Sequence, residues 1–212
     1  MVLEEITRKY EYPILGIIGA TVPSEDYPED ETVELGYRLR ELIQENNGTL
    51  FTGGVSGVGL DFYRGVIDYC KRNGVDDKFF CLFPNFDGTE VNPPEEYYEL
   101  ANEINKQLSV ERFGRDMEQR RMAVGPVADS LVLVNGSSGT LDEAIRSLAY
   151  EKSLITLKNS GGAADIILDI KEGRLPRPDF PLNLDLIQPA KSIDEIVDYL
   201  SSLYFNKQGV NQ

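Results

Sequence analysis

The chain has 212 residues and a hydrophobic content of 41%, which is enough to bury one sizeable core and favours a single domain. Its 36 acidic and 21 basic residues leave a formal charge of −15, and this field argues against nucleic acid and anionic membrane surfaces as partners. The absence of histidine excludes Ser-His-Asp and Cys-His catalysis and most zinc chemistry. A small anion in a local pocket is compatible with the charge, because backbone N–H groups and arginines act at short range.

The cysteines and the amino terminus favour a reducing compartment. Cys70 and Cys81 lie in apolar or helical contexts without the spacing of a zinc site or a disulfide framework, so we expect two buried thiols. The first residues lack the basic start of a secretory signal, and no stretch approaches the ~18 apolar residues of a membrane span. We therefore expect a cytoplasmic protein with no metal site and no cofactor.

Short apolar runs alternate with longer amphipathic runs, a pattern typical of βα units around a parallel sheet. The apolar runs predict strands at residues 14–19, 49–52, 79–83, 130–134 and 154–157. Apolar residues at helical spacing predict helices at residues 31–45, 58–71, 95–107, 116–127, 140–150 and 193–203, and one more that ends at residue 170.

The remaining segments set the domain boundaries. Residues 84–94 are predicted to form a loop because they are rich in Pro, Asn, Asp and Gly, and residues 206–212 a frayed tail. The Pro-rich stretch 175–189 resembles a linker, but the helix after it is apolar enough to need a partner. The sequence predicts one α/β domain over residues 1–205, a Rossmann-like doubly wound parallel sheet with helices on both faces.

Three glycine-rich turns follow predicted strands, at residues 53–57, 136–140 and 160–165. Glycine lets the backbone approach a phosphate closely, and the start of the next helix supplies N–H groups and a partial positive charge. Turns that flank the topological switch point of a doubly wound sheet face one crevice, so we expect a shared ligand cleft. The alternative is that each glycine only permits a tight turn; the pair 53–57 and 136–140 together favours the cleft.

We expect this cleft to bind a nucleotide or a similar phosphorylated small molecule. The residues predicted to contact the ligand are Gly19, Gly53, Gly54, Ser56, Gly57, Gly136, Ser137, Ser138, Gly139 and Thr140. An ordinary helix N-cap would by itself explain one of the hydroxyls of Ser138 and Thr140.

A carboxylate and three arginines accompany the second turn. Glu143 is predicted in the first turn of its helix, where either the helix dipole or a neighbouring ligand explains an acid. Arg115, Arg120 and Arg121 precede the fourth predicted strand, and surface salt bridges are the usual role of such residues. Arg120, however, shares a helical face with two valines that we expect to turn inward. Its guanidinium then needs an anion or a carboxylate partner.

Two segments, residues 117–121 and 135–143, carry a family signature. They read Met-Glu-Gln-Arg-Arg and Asn-Gly-Ser-Ser-Gly-Thr-Leu-Asp-Glu. This pattern resembles the Lonely-guy proteins, once called lysine decarboxylases, whose signature is an arginine-lysine pair followed by Pro-Gly-Gly-x-Gly-Thr-x-x-Glu. The resemblance extends to Gly19 and residues 53–57, and so covers most of the chain to about residue 157.

The resemblance implies a function and a site. Enzymes of the family are phosphoribohydrolases, which cleave the N-glycosidic bond of a nucleoside 5′-monophosphate. By resemblance, Arg120 and Glu143 are the catalytic pair, in keeping with the use of carboxylates in glycoside hydrolysis. The phosphate would be held by Gly136, Ser137, Gly139 and Thr140. The resemblance also implies a homodimer or a higher homo-oligomer.

Two departures from the signature keep a second function open. Asn135 stands where the family has proline, and Ser137 stands where it has its second glycine. The turn at residues 161–165 looks more like the molybdenum cofactor carrier proteins and the nucleotide-sensing domains of the same superfamily, which bind and do not cleave. The alternative is therefore a non-catalytic carrier or sensor of molybdenum cofactor or of a nucleotide second messenger.

Overall fold

The strands of the computed structural model form one parallel sheet. The structure describes residues 2–25, 27–85, 92–178 and 181–205. Its strands are β1 (Ile14–Gly19), β2 (Thr49–Thr52), β3 (Phe79–Phe83), β4 (Val110–Arg112), β5 (Ser130–Val134), β6 (Ser153–Leu157) and β7 (Ile187–Ala190). All neighbours in the order β4-β3-β2-β1-β5-β6-β7 are parallel. The predicted Rossmann-like α/β fold is confirmed.

Helices cover both faces of the sheet. They are α1 (Val2–Lys9), α2 (Glu29–Asn46), α3 (Val58–Asn73), α4 (Glu95–Asn102), α5 (Met117–Val127), α6 (Ser138–Ala149), α7 (Gly162–Lys171) and α8 (Ile193–Tyr204), with a 3₁₀ turn at Leu184–Leu186. Helices α2, α3, α4 and α8 pack on one face, and α1, α5, α6 and α7 pack on the other. Across the described ranges, no helix combines the length and apolarity of a membrane-spanning segment.

Burial of the sheet on both faces explains why its central strands are continuous apolar runs. In β1, Leu15 and Ile17 belong to the core under α2 and α3, whereas Ile14 and Ile18 belong to the core under α5 and α6. A parallel strand covered on both sides has no polar face, so its sequence does not alternate. The bounds predicted for β1, β2, β3 and β5 are confirmed.

The strand order reverses at β1, which lies between β2 and β5. Gly19 is in register with Val134, so β1 and β5 end at the same level of the sheet. A crevice forms at such a switch point because the connections leave the two strands on opposite faces. The three glycine-rich turns follow β2, β5 and β6, and therefore lie along this carboxyl edge.

The fourth helix is shorter than the predicted range 95–107. It ends at Asn102, and Asn105 then adopts the left-handed conformation with φ 56°. Lys106 N–H donates to the Ala101 carbonyl at 3.1 Å, which closes the helix end. Asparagine tolerates this backbone conformation, and a left-handed residue stops the helix.

The sequence analysis missed α1, β4 and β7. The edge strand β4 has only three residues, too few for a periodic pattern. Strand β7 contains Pro189, which an edge position tolerates because the missing N–H need not join a ladder. The stretch that resembled a linker thus carries a strand paired with β6, and α8 packs on α2, where Arg38 Nη1 donates to Asp194 Oδ1 at 2.9 Å. The tail 206–212 and residues 86–91 of the predicted loop lie outside the described residues.

Candidate functional site

The turn between β2 and α3 is hydrogen-bonded to the β1–α2 loop and to α4. Val58 N–H donates to the Ala20 carbonyl at 3.1 Å, and the buried Tyr97 hydroxyl donates to the Val55 carbonyl at 2.9 Å. Gly57 has φ 71° and ψ −134°, and a Cβ there would overlap the Ala20 carbonyl. Glycine is required here by the backbone conformation and by the close approach of the β1–α2 loop.

An acid occupies the first turn of α3. Asp61 is 6% exposed, accepts a hydrogen bond from the Tyr27 hydroxyl at 2.9 Å, and pairs with Arg64. A carboxylate at this position already interacts favourably with the positive end of the helix dipole. The amino terminus of α3 is therefore partly neutralised by the protein itself.

The turn between β5 and α6 begins with Asn135, which is 1% exposed and has φ 54°. Its side-chain amide donates to Ser24 Oγ at 2.7 Å and to the Ser160 carbonyl at 2.7 Å. The backbone N–H of Asn135 donates to Ser160 Oγ at 2.9 Å. Asn135 thus joins the end of β5 to the β1–α2 loop and to the β6–α7 turn. Proline, which the family signature has here, could make none of these side-chain bonds.

The third glycine-rich turn supports the second one. Ala163 N–H donates to the Gly136 carbonyl at 2.8 Å, and Ala164 N–H donates to the Asn135 carbonyl at 3.1 Å. Gly162 has φ 60°, and a Cβ there would overlap the Gly136 carbonyl. These N–H groups at the start of α7 are occupied by the protein backbone, so the turn at 160–165 fixes the β5–α6 turn.

Helix α6 begins two residues earlier than predicted, at Ser138. Glu143 therefore lies in the second turn, and the first turn contains no acid. Ser137, the N-cap residue, makes no capping hydrogen bond with its side chain, and Ser137 and Ser138 are exposed. Thr140 is buried, and its hydroxyl donates to the Gly19 carbonyl at 2.9 Å. The helix dipole no longer explains Glu143, and Thr140 ties α6 to β1.

Arg120 and Glu143 form a buried ion pair at this edge of the sheet. Arg120 is 3% exposed and Glu143 is 6% exposed, and Arg120 Nη1 donates to Glu143 Oε1. Arg120 Nη2 also donates to the Gly53 carbonyl at 3.3 Å, and a Cβ at Gly53 would overlap the guanidinium. The expectation that Arg120 turns inward is confirmed. Its partner is the carboxylate of Glu143, so the two charges offset each other inside the protein.

Cys81 and Tyr97 pack beneath the β2–α3 turn. Burial raises the pKa of the Cys81 thiol well above its ordinary value, and the nearby Arg120 lowers it by less. Burial likewise raises the pKa of Tyr97 well above its ordinary value. Neither group ionises near neutral pH, so they contribute packing and hydrogen bonding to the site.

The structure brings most of the predicted site residues together. Thr140 bonds to Gly19, Arg120 joins Gly53 to Glu143, and the β5–α6 turn stands beside them. Ser56 is exposed on the β2–α3 turn. The sequence analysis missed Ser24 and Ser160, because their bonds to Asn135 join segments far apart in the chain.

Comparison with known proteins supports the architecture. No protein-family model and no curated protein sequence matches the chain. The solved structure of TM1055, a structural-genomics target, is 24% identical, covers 89% of this chain and 98% of its own, and has a TM-score of 0.64. The molybdenum cofactor carrier protein of Chlamydomonas reinhardtii is 18% identical over 90% of this chain and 97% of its own, with a TM-score of 0.55.

A third solved structure agrees with these two. The molybdenum cofactor binding protein of the phototrophic bacterium Rippkaea orientalis is 16% identical over 90% of this chain and 96% of its own, with a TM-score of 0.56. Likeness at this level of identity concerns the fold. The chain therefore shares its fold with these three solved structures.

Proposed function

We propose that this protein binds a phosphorylated small molecule in the crevice between the carboxyl ends of β1 and β5, and that it carries or senses this molecule without cleaving it. A phosphorylated pterin such as molybdenum cofactor and a nucleotide both fit this class. The observation that carries the proposal is the start of α6, which lies at the switch point with no acid in its first turn and no side-chain cap. Such a helix start attracts an anion.

The state of Glu143 favours binding over cleavage. A hydrolase of the Lonely-guy type needs a carboxylate that reaches the ribose or a water molecule. Glu143 is 6% exposed and is paired with Arg120, whose Nη2 also donates to Gly53. A carrier needs no rearrangement of this pair. Two of the solved structures that share the fold are a molybdenum cofactor carrier and a molybdenum cofactor binding protein.

Mass spectrometry of the small molecules released when the purified protein is denatured tests the proposal. We expect a stoichiometric phosphorylated ligand, either co-purified or retained after incubation with molybdenum cofactor or with nucleotides, and recovered intact. Recovery of free base and ribose 5-phosphate after incubation with a nucleoside monophosphate would overturn the carrier function. Failure to retain any phosphorylated compound would overturn binding itself.

A second candidate is a nucleoside 5′-monophosphate phosphoribohydrolase. The proximity of Arg120 and Glu143, the two residues that the resemblance gives as the catalytic pair, supports it, whereas their burial is the reason that it ranks second. In this reaction Glu143 would bind the ribose hydroxyls or activate water, and Arg120 would fix the ligand. Release of ribose 5-phosphate from adenosine, guanosine, cytidine or uridine monophosphate is the assay. Glu143→Gln should abolish turnover and retain binding. No release from any of the four compounds eliminates this candidate.

Two predictions from the sequence complete the proposal. One is a homodimer or a higher homo-oligomer, which light scattering after size-exclusion chromatography measures directly. The other is a single domain over residues 1–205, for which one cooperative unfolding transition by two different probes is the expected result.

A further inference from the structure

Two consecutive arginines of α5, Arg120 and Arg121, lie against the β2–α3 turn and the β5–α6 turn. Among the described residues, only the first of them is paired with a carboxylate. Arg120 contacts Gly53 and is neutralised by Glu143. Arg121 is partly buried, and its guanidinium lies against Gly139, where a Cβ would come within 2.8 Å of Arg121 Cζ. Each turn therefore has a glycine at the place where one arginine needs room.

Arg121 makes no ion pair with any carboxylate in the described part of the chain. The acids nearest in sequence on α6 are engaged elsewhere, because Asp142 pairs with Arg146 and Glu143 pairs with Arg120. In a chain with a formal charge of −15, Arg121 is thus a partly buried guanidinium that no carboxylate of the described residues pairs with. It lies beside the first turn of α6, which has no acid. The two positive features reinforce each other.

A buried donor at the same junction of α5 and α6 also lacks an acceptor. Arg120 is 3% exposed, and its Nε has no hydrogen-bond partner among the described residues, although Nη1 and Nη2 are both bonded. A buried N–H without an acceptor is unfavourable, so this junction is not fully satisfied by the protein's own groups. This donor and the Arg121 guanidinium come from adjacent residues of one helix.

We propose that Arg121 is a direct ligand-binding residue, which together with the start of α6 holds the anionic group of the ligand. Arg120 is then a positioning residue, which holds Glu143 and the β2–α3 turn in place. The proposal deepens and rests on the proposed function, because it names the group that receives the phosphate. It also orients the ligand, with its phosphate at α6 and its uncharged part toward α3, where Asp61 already occupies the helix start.

Titration of the full chain with inorganic phosphate, followed by isothermal calorimetry or by ³¹P line broadening, tests the proposal without knowledge of the natural ligand. We expect Arg121→Gln to weaken phosphate binding by about tenfold or more, because a charge-assisted hydrogen bond is lost. Arg115→Gln is the matched control, since it removes the same charge from an exposed position six residues away. Arg121→Lys should recover part of the affinity, because it restores the charge but not the planar fork.

The outcomes separate this proposal from the proposed function. Equal loss in the Arg121→Gln and Arg115→Gln variants would show a general effect of charge and overturn the role of Arg121. Phosphate affinity unchanged in Arg121→Gln, or no phosphate binding by the wild-type protein, would also overturn it. In each of these cases, an intact phosphorylated ligand recovered from the purified protein would still support the proposed function. Thermal unfolding of each variant establishes that it is folded.

Discussion

The glycine-rich turns that precede α3 and α6 have similar sequences, but the hydrogen bonds and charges around them differ. In the β2–α3 turn, the Val55 carbonyl accepts a hydrogen bond from the Tyr97 hydroxyl, and Val58 N–H donates to the Ala20 carbonyl. Asp61 places a negative charge in the first turn of α3. In the β5–α6 turn, the first helical turn has no acid, and Arg121 adds a positive charge. One helix start is satisfied from within, whereas the other keeps its attraction for an anion.

This difference shows why a glycine-rich turn is a weak indicator of phosphate binding when it is read alone. In both turns the glycines make room for the protein's own groups. Gly53 and Gly139 admit arginine side chains, and Gly57 admits a carbonyl of the neighbouring loop. The distinguishing feature is the charge around the helix start, which depends on residues from other segments. Substitutions in and around the two turns test whether their environments differ in this way.

The largest effect is expected from removing the pair that links the two turns. Glu143→Ala leaves the buried Arg120 cation without a carboxylate and should reduce the free energy of unfolding by about 3–5 kcal/mol. Urea denaturation measures the loss. The double variant Arg120→Met with Glu143→Leu should recover most of it, because no buried charge is left unpaired. A single variant within about 1 kcal/mol of wild type would mean that the pair does not hold the turns together.

A smaller loss of stability is expected from Gly57→Ala. Its backbone conformation is one that only glycine adopts readily, and the added methyl group would overlap the Ala20 carbonyl, which cannot move alone. We expect a loss of about 1–3 kcal/mol in the free energy of unfolding. Gly74→Ala is the control, because Gly74 has φ 64° but no atom within 4 Å of the new methyl group. Equal losses in the two variants would show that the close packing of the β2–α3 turn contributes nothing.

Gly139→Ala should separate ligand binding from stability. The nearest atoms to the added methyl group belong to the flexible end of Arg121, and alanine is the better helix former, so stability should change by less than about 1 kcal/mol. Phosphate affinity should fall by about tenfold, because Arg121 is displaced. The Gly139→Ala and Arg121→Gln double variant should bind no more weakly than Arg121→Gln alone. Additive losses would mean that the two residues act independently.

The smallest effect concerns the thiols. Gly54 packs on Cys81, and burial raises the pKa of Cys81 well above its ordinary value. Burial also raises the pKa of Cys70 to about 11. The thiolate fraction near neutral pH is therefore below that of a free cysteine for both thiols, and it grows only at higher pH. We expect no alkylation by iodoacetamide near neutral pH, with or without phosphate, and full alkylation in urea. Phosphate-dependent modification of Cys81 would show that the β2–α3 turn opens when an anion binds.

The sequence was informative wherever a residue's environment is set by local pattern. Continuous apolar runs gave the bounds of four strands, and the shared face of Arg120 with two valines gave its inward direction. The predicted end of α4 was wrong because Asn105 adopts the left-handed conformation beyond the end of the helix. The helical spacing of apolar residues does not indicate such a conformation. Strands β4 and β7 escaped because edge strands are short and tolerate proline.

The structure places several of the predicted site residues close together, but most of the contacts between them could not be predicted from the sequence. The resemblance names Arg120 and Glu143 as a pair, but their direct contact depends on how α5 and α6 are placed on the same face of the sheet. The bonds from Asn135 to Ser24 and Ser160 join three connections that are distant in the chain. No local pattern encodes such contacts. They follow from the strand order, which brings the ends of β1, β5 and β6 side by side.

The backbone bonds from the start of α7 to the carbonyls of Asn135 and Gly136 have a consequence for binding thermodynamics. Because these bonds fix the β5–α6 turn before any ligand binds, the turn would lose little conformational entropy on binding. For the ligand site that we propose at the start of α6, affinity would then depend on how rigidly residues 161–164 are held, even though the N–H groups of Ala163 and Ala164 are already occupied by the protein. Substitutions at these positions should therefore act as remote modulators of ligand affinity, and sequence differences among relatives there would tune binding without changing a single ligand contact.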